Sequence, residues 1–201
     1  MIVTHIEPLT KGKSKIYIDE MLAFALFKGE MSRYNIETGS ELSKKDYDEI
    51  RETIILKRAK SRALYLLGSM ERTEDQLRSK LRQNFYPEDI ILQVVDYVKS
   101  YHYVDDERYV KYFIDYKSAS KSKAQIMNLL MQKGVSKELI EDELNKLDEN
   151  SEIQLIEKFV NKKRIDLQCI SRVEKQKLYA QLLRKGFKSQ DISRILKNSY
   201  D

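Results

Sequence analysis

Leu77-Arg78-Ser79-Lys80-Leu81, followed by Phe85-Tyr86-Pro87, Ile91 and Val95, decides the fold because the same pattern returns twice. The second copy is Ile126-Met127-Asn128-Leu129-Leu130, then Gly134-Val135-Ser136, Ile140 and Leu144. The third is Leu178-Tyr179-Ala180-Gln181-Leu182, then Gly186-Phe187-Lys188, Ile192 and Leu196. Separations inside each copy are identical, and the copies begin 49 and 52 residues apart. A register that repeats along a chain marks tandem structural units. A four-residue step places two apolar side chains on one helical face, so each copy reads as two helices joined by a short turn.

Each pair is preceded by a further helix, ending near Tyr65–Leu67, Tyr109–Lys117 and Ile153–Val160. The body therefore reads as three copies of a three-helix unit. Ile90, Ile91, Val94, Val95 and Val98 form one apolar stripe, the means by which helices too short to stand alone are held by packing. Start signals fit this reading. Ser43 with Asp46 and Thr73 with Gln76 resemble capping boxes, and Pro87 suits a first helical turn. Asp105, Ser120, Ser136, Ser171 (with Glu174) and Ser189 can each cap a helix, while Gly134 and Gly186 suit left-handed helix ends. From Ser43, the positions Ile50, Ile54, Ala59, Ala63, Leu66 and Leu67 predict one long helix.

The first forty residues differ. Ile2–Ile6, Lys15–Ile18 and Leu22–Leu26 have strand-like composition, with Lys11-Gly12-Lys13 and Asp19-Glu20 as turns. A small antiparallel sheet is expected, then a short helix near Lys28–Tyr34. So small a sheet is marginal alone and should pack on the helices after it. The fold class is thus all-α: three tandem three-helix repeats in an elongated, curved array, preceded by a small N-terminal β-hairpin or sheet segment. The expected divisions are 1–42, 43–104, 105–149 and 150–201.

Only 6 Gly and 2 Pro among 201 residues argue against a turn-rich β fold, and 41% hydrophobic residues argue against disorder. The single cysteine, Cys169, cannot form an internal disulfide and reads as a small packing residue. No signal peptide or membrane-length apolar run is evident. A cytoplasmic, monomeric protein without membrane contact is expected.

Nothing supports catalysis or a cofactor. Gly12-Lys13-Ser14 resembles the end of a phosphate loop, but the earlier glycine would fall at Glu7. His5 and His102 are the only histidines and lie far apart, which disfavours a metal site. Asp105-Asp106-Glu107 fits the start of a helix better than a cation loop.

Charge is unevenly distributed. Residues 151–201 hold 12 basic and 6 acidic residues, whereas the first 150 hold 25 and 26. Such asymmetry suits contact with nucleic acid or an acidic protein groove, and composition alone suits a solvated face equally well. Arg58 and Arg62 lie one turn apart near Lys57 and Lys60. Arg78, Lys80 and Arg82 project away from Leu77 and Leu81, with Arg72 just before them. Lys117, Lys121 and Lys123 belong to the second repeat. Lys158, Lys162, Lys163 and Arg164 end a helix in the third, with Arg184 and Lys185 beyond. Phosphate contacts through such groups release counterions and weaken with salt. Among the tyrosines, Tyr109 belongs with Phe113 on a core face, whereas Tyr112 and Tyr116 are candidate surface contacts. Met127 and Met131 replace the first repeat's cations, either as partner contacts or as residues buried against neighbours.

The chain resembles the RecX family of recombinase regulators. The likeness runs from Ile6-Glu7-Pro8 and Ile16-Tyr17-Ile18-Asp19 through Arg72–Leu81, Tyr103-Val104-Asp105-Asp106-Glu107-Arg108-Tyr109 and Gln132-Lys133-Gly134-Val135-Ser136. Phe85 and His102 stand where the family usually has glycine. The resemblance implies a protein that binds the RecA–DNA nucleoprotein filament along its helical groove and limits filament growth and recombinase activity. It also implies contact with single- and double-stranded DNA.

Overall fold

The structure, a computed structural model, describes residues 1–148 and 150–197. Position 149 and residues 198–201, which the expected second and third repeats include, lie outside the described residues. The chain divides into two compact units, Met1–Asp105 and Asp106–Asp201.

The first unit opens with strands β1 (Val3–Thr10), β2 (Lys13–Ile18) and β3 (Met21–Phe27), an antiparallel sheet in the order β1-β2-β3. Asp19 and Glu20 make the β2–β3 turn with φ of 47° and 71°, the doubly left-handed geometry that suits strand twist. Pro8, which lacks a backbone donor, is carried on an edge strand beside a register shift. Helices α1 (Lys28–Arg33), α2 (Lys44–Glu49), α3 (Lys57–Ser69), α4 (Glu74–Arg82) and α5 (Glu88–Ser100) follow. As the weak sheet requires, Val3, Ile16, Phe24 and Leu26 share one core with Ala59, Leu81 and Val95.

One expected helix differs in detail. Between α2 and α3 the chain forms a π-helical segment, Ile50–Leu56, so Ile55 rather than Ile54 is buried with Ile50. The wider turn advances the apolar face by five residues before the ordinary four-residue step resumes at Ala59 and Ala63.

The second unit contains α6 (Asp106–Lys117), α7 (Lys123–Met131), α8 (Lys137–Asn145), α9 (Ser151–Lys162), α10 (Arg172–Arg184) and α11 (Ser189–Lys197). Two cores form here, one from α6–α8 and one from α9–α11. Tyr109 and Phe113 pack on the first, as expected, and so does Met127, whereas Met131 is exposed.

Every repeated apolar position is buried, from Leu77, Leu81, Tyr86, Ile91 and Val95 to Leu178, Leu182, Phe187, Ile192 and Leu196. The turn between the paired helices is also the same three times. Phe85, Gly134 and Gly186 have φ of 63°, 78° and 82°. The next residue's N–H then bonds the carbonyl five positions back: Tyr86 to Leu81 at 3.4 Å, Val135 to Leu130 and Phe187 to Leu182 at 3.3 Å. This closes the helix end with the six-to-one bond of a Schellman turn. Phe85 thus holds the conformation of the glycine it replaces, and its ring receives the Lys15 ammonium at 4.7 Å. His102 does likewise, with φ of 55°.

Several caps fall where expected: Ser43, Thr73, Ser136 and Ser171 each accept a first-turn N–H. Others move. Pro87 is the cap residue itself, and its carbonyl accepts the Ile91 N–H at 2.9 Å. Ser122, not Ser120, caps α7, because the Ser120 hydroxyl donates to the Lys117 carbonyl at the end of α6. Ser189 is the first residue of α11 and its hydroxyl meets that of Tyr179 at 2.6 Å. Cys169 is exposed, not packed; its neighbours Ile165, Leu167 and Ile170 are partly buried against the third core.

A Cβ on Gly186 would stand 2.7 Å from the Cβ of Ala124. Gly186→Ala therefore combines a left-handed backbone with a clash and should destabilise the second unit by about 1–3 kcal/mol, measured as a lower denaturation midpoint.

Candidate polyanion-binding surface

The cations of the first unit are largely committed to holding it together. Arg58 forms an ion pair with Glu30, donates to the Ala25 carbonyl at 3.1 Å and lies 4.8 Å from the Phe27 ring. It thereby fastens α3 to β3 and α1. Arg62 sits over the Tyr65 ring at 5.3 Å with its Nε buried. Arg72 donates to the Leu66 carbonyl at 3.3 Å near the end of α3. Glu74 takes Arg78 on one oxygen at 2.7 Å and Lys99 on the other at 2.7 Å. Lys80 reaches Gln83 at 3.2 Å, and Arg82 grips Glu88 with two bonds of 2.6 and 3.0 Å. The Arg82 bonds hold the Glu88 carboxyl below the usual carboxylate range.

In the second unit Lys137 and Lys146 form ion pairs with Glu141 and Glu143, whereas among the described residues the candidate cations make none. Tyr112 and Tyr116 are exposed, and Lys117 lies 4.4 Å from the Tyr116 ring. Lys121 and Lys123 are half-buried. Lys162, Lys163, Arg164 and Arg184 are exposed at the ends of α9 and α10, with Arg164 in a left-handed turn. Arg164 lines a shallow depression with Asp166, Glu174 and Lys177, where acids and bases alternate.

A different concavity is one-signed. Lys158, Lys162, Lys163 and Lys185 line a groove of about 590 Å³ with Phe159, Leu155, Ala119, Ser120 and Gln125. Lys163 and Lys185 lie 5.3 and 5.0 Å from the Phe159 ring centroid. The ring's negative face steadies both ammoniums beside one another. Among the described residues, none of these four lysines makes an ion pair.

Lys158 and Lys162 share one side of α9 because helical neighbours recur at four residues, and Lys163 follows at the C-cap. Lys185 arrives from α10 through tertiary contacts. Buried Glu152, at the start of α9, accepts the Lys123 N–H at 2.9 Å, and buried Ser122 donates to the Lys185 carbonyl. These bonds draw the start of α7 against α9 and the α10–α11 turn. Lys162, Lys163 and Lys185 are therefore brought together, while Arg164 and Arg184 are left outside the groove. Phe159 and Gln125 had no signal as site residues in the sequence: position 159, three residues from Ile156, reads as a core position, and Phe159 does pack, partly buried, against the third core.

The three-helix domains of RecX match in order: the first at residues 59–97, the second at 105–144 and the third at 150–196. The chain belongs to the RecX family. A regulatory protein RecX from Caldanaerobacter subterraneus subsp. tengcongensis is 33% identical over 199 residues, covering 98% of each chain. That of Clostridium beijerinckii is 27% identical over 204 residues, covering 98% of this chain and 94% of the relative. A crystal structure of regulatory protein RecX shares the fold, with a TM-score of 0.65 and 24% identity over 98% of both chains. RecX from Lactobacillus salivarius matches with a TM-score of 0.64 and 23% identity over 73% of this chain and 97% of its own. RecX proteins are regulatory, and no helix among the described residues of this member is long and apolar enough to cross a membrane.

Within this RecX chain the Glu74 cluster has a pH signature. Burial pushes the Glu74 carboxyl up, but hydrogen bonds from Lys99 and Arg78 outweigh it and leave the group below its usual range. A depressed acid contributes stability above its unfolded pKa and loses it as pH falls through the folded value. Glu74→Gln should lower stability near neutral pH by up to about 1 kcal/mol, as for partly exposed pairs. The loss should vanish in acid, and thermal melts across the carboxylate range check both parts.

Proposed function

We propose that this RecX-family protein binds the RecA–DNA nucleoprotein filament within its helical groove and limits filament extension, recombination and ATP hydrolysis. It would thereby modulate recombination and DNA repair, acting in the cytoplasm as a monomer. The observation that carries this reading is the ordered match of all three RecX three-helix domains. We read the chain as a β-rich 1–42 segment followed by tandem repeats at 43–104, 105–149 and 150–201, an organisation in keeping with this proposal. Repeated modules present a long surface for their mass and suit a polymeric partner. The unpaired lysines of the second unit add electrostatic attraction to a filament that carries DNA.

Adding the protein to the recombinase of the same organism, assembled on single-stranded DNA, should slow ATP hydrolysis in proportion to dose. An unchanged rate at excess protein would sink the reading. The groove favours one second reading, a stand-alone nucleic-acid-binding module. Salt-sensitive binding to bare DNA with no effect on the recombinase would select it.

A further inference from the structure

We propose that the groove between α9 and the α10–α11 turn, lined by Lys158, Lys162, Lys163 and Lys185 around Phe159, is a seat for the phosphodiester backbone of single-stranded nucleic acid. This rests on the reading that the protein works on a partner containing nucleic acid, and it assigns that contact to one place.

The chemistry of the lining selects the ligand. Each ammonium offers three donors and no acceptor, so the occupant must present acceptors and negative charge. The other polar groups are already engaged: Ser120 donates to the Lys117 carbonyl, and Gln125 completes the cap with Ser122. Base-edge readout therefore has few partners here, and a sequence-independent backbone contact is what remains. Lys158 and Lys162 stand one helical turn apart, about 5–6 Å between Cβ atoms. Such a row of point charges suits a polymer with charge at regular intervals. Cation–π contacts hold Lys163 and Lys185 at the Phe159 ring, which reduces the ordering needed when an anion arrives.

The first unit also carries many cations, but Arg58, Arg78 and Arg82 already have carboxylate partners. A phosphate would have to displace a carboxylate there, whereas in the groove it displaces only hydrated counterions.

The test measures binding of the full-length protein to a short labelled oligothymidylate by fluorescence anisotropy. Four phosphate contacts correspond to a loss of about 50-fold in affinity between about 50 and 200 mM salt, from a slope of roughly 0.7 per contact for single strands. The variant Lys158→Gln/Lys162→Gln/Lys163→Gln/Lys185→Gln should bind at least tenfold more weakly at the lower salt and lose roughly 2–3 from that slope. A charge-matched variant, Lys11→Gln/Lys28→Gln/Lys44→Gln/Lys45→Gln, alters exposed lysines of the first unit and should bind within about twofold of the parent, since only seated charges release counterions. Circular dichroism confirms that both variants remain folded.

Equal weakening by the two variants would overturn the assignment, because attraction would then be diffuse. So would undiminished binding by the groove variant, or no binding by the parent protein. Competition by polyglutamate as effective as by unlabelled oligothymidylate would also overturn it, in favour of an acidic protein partner. ATP hydrolysis by the recombinase is followed with the same preparations. Inhibition that persists while the DNA result fails would reject this seat and leave the regulatory reading standing.

Discussion

Packing between short helices is the constraint on which everything else depends. The α4–α5, α7–α8 and α10–α11 pairs are of 9 to 13 residues, lengths at which an isolated helix barely persists in water. They exist because each buries two or more large aliphatic side chains into a shared core, and truncating one such residue typically costs about 2–5 kcal/mol. The turn between the paired helices sets how those faces meet. A single left-handed residue closes one helix and redirects the chain into the next, in the same manner in all three copies. Where the chain has Phe85 instead of glycine it accepts backbone strain, and the aromatic ring contacts Lys15 of the sheet in compensation.

On this scaffold the two units deploy positive charge differently. In the first, guanidinium groups serve the architecture: Arg58 joins sheet to helix, Arg78 and Lys99 share Glu74, and Arg82 clasps Glu88. In the second, four ammoniums line one concave surface, two of them against an aromatic ring. Proximity of like charges without a carboxylate is unfavourable in the unbound protein. The Phe159 ring offsets part of that repulsion for Lys163 and Lys185, and an arriving anion would offset the rest.

Most of the scaffold was legible in the sequence because periodicity is a local property. The buried columns from Leu77 to Leu196, the stripe along α5 and the β-rich start all follow from spacing and composition. Failures occur where a local rule has two solutions. Ser120 and Ser122 are equally good caps by type, and only the neighbouring carbonyl of Lys117 decides between them. Ile54 and Ile55 are equally apolar, and a π-helical turn selects the second. The candidate surface was harder to read. Lys158, Lys162 and Lys163 are visible as a helical cluster, but the approach of Lys185 depends on hydrogen bonds spanning 29 and 63 residues of sequence. Nor does the sequence distinguish an arginine with a carboxylate in reach from a lysine without one.

Ser122 has a consequence that reaches past its own helix. One buried hydroxyl both accepts the Gln125 N–H that begins α7 and donates to the Lys185 carbonyl at the close of α10. Fraying at either terminus strands a polar atom that serves the other, so the two ends share a single fate. Two neighbouring modules that look separable on paper are in this way tied at their helix ends through one oxygen atom.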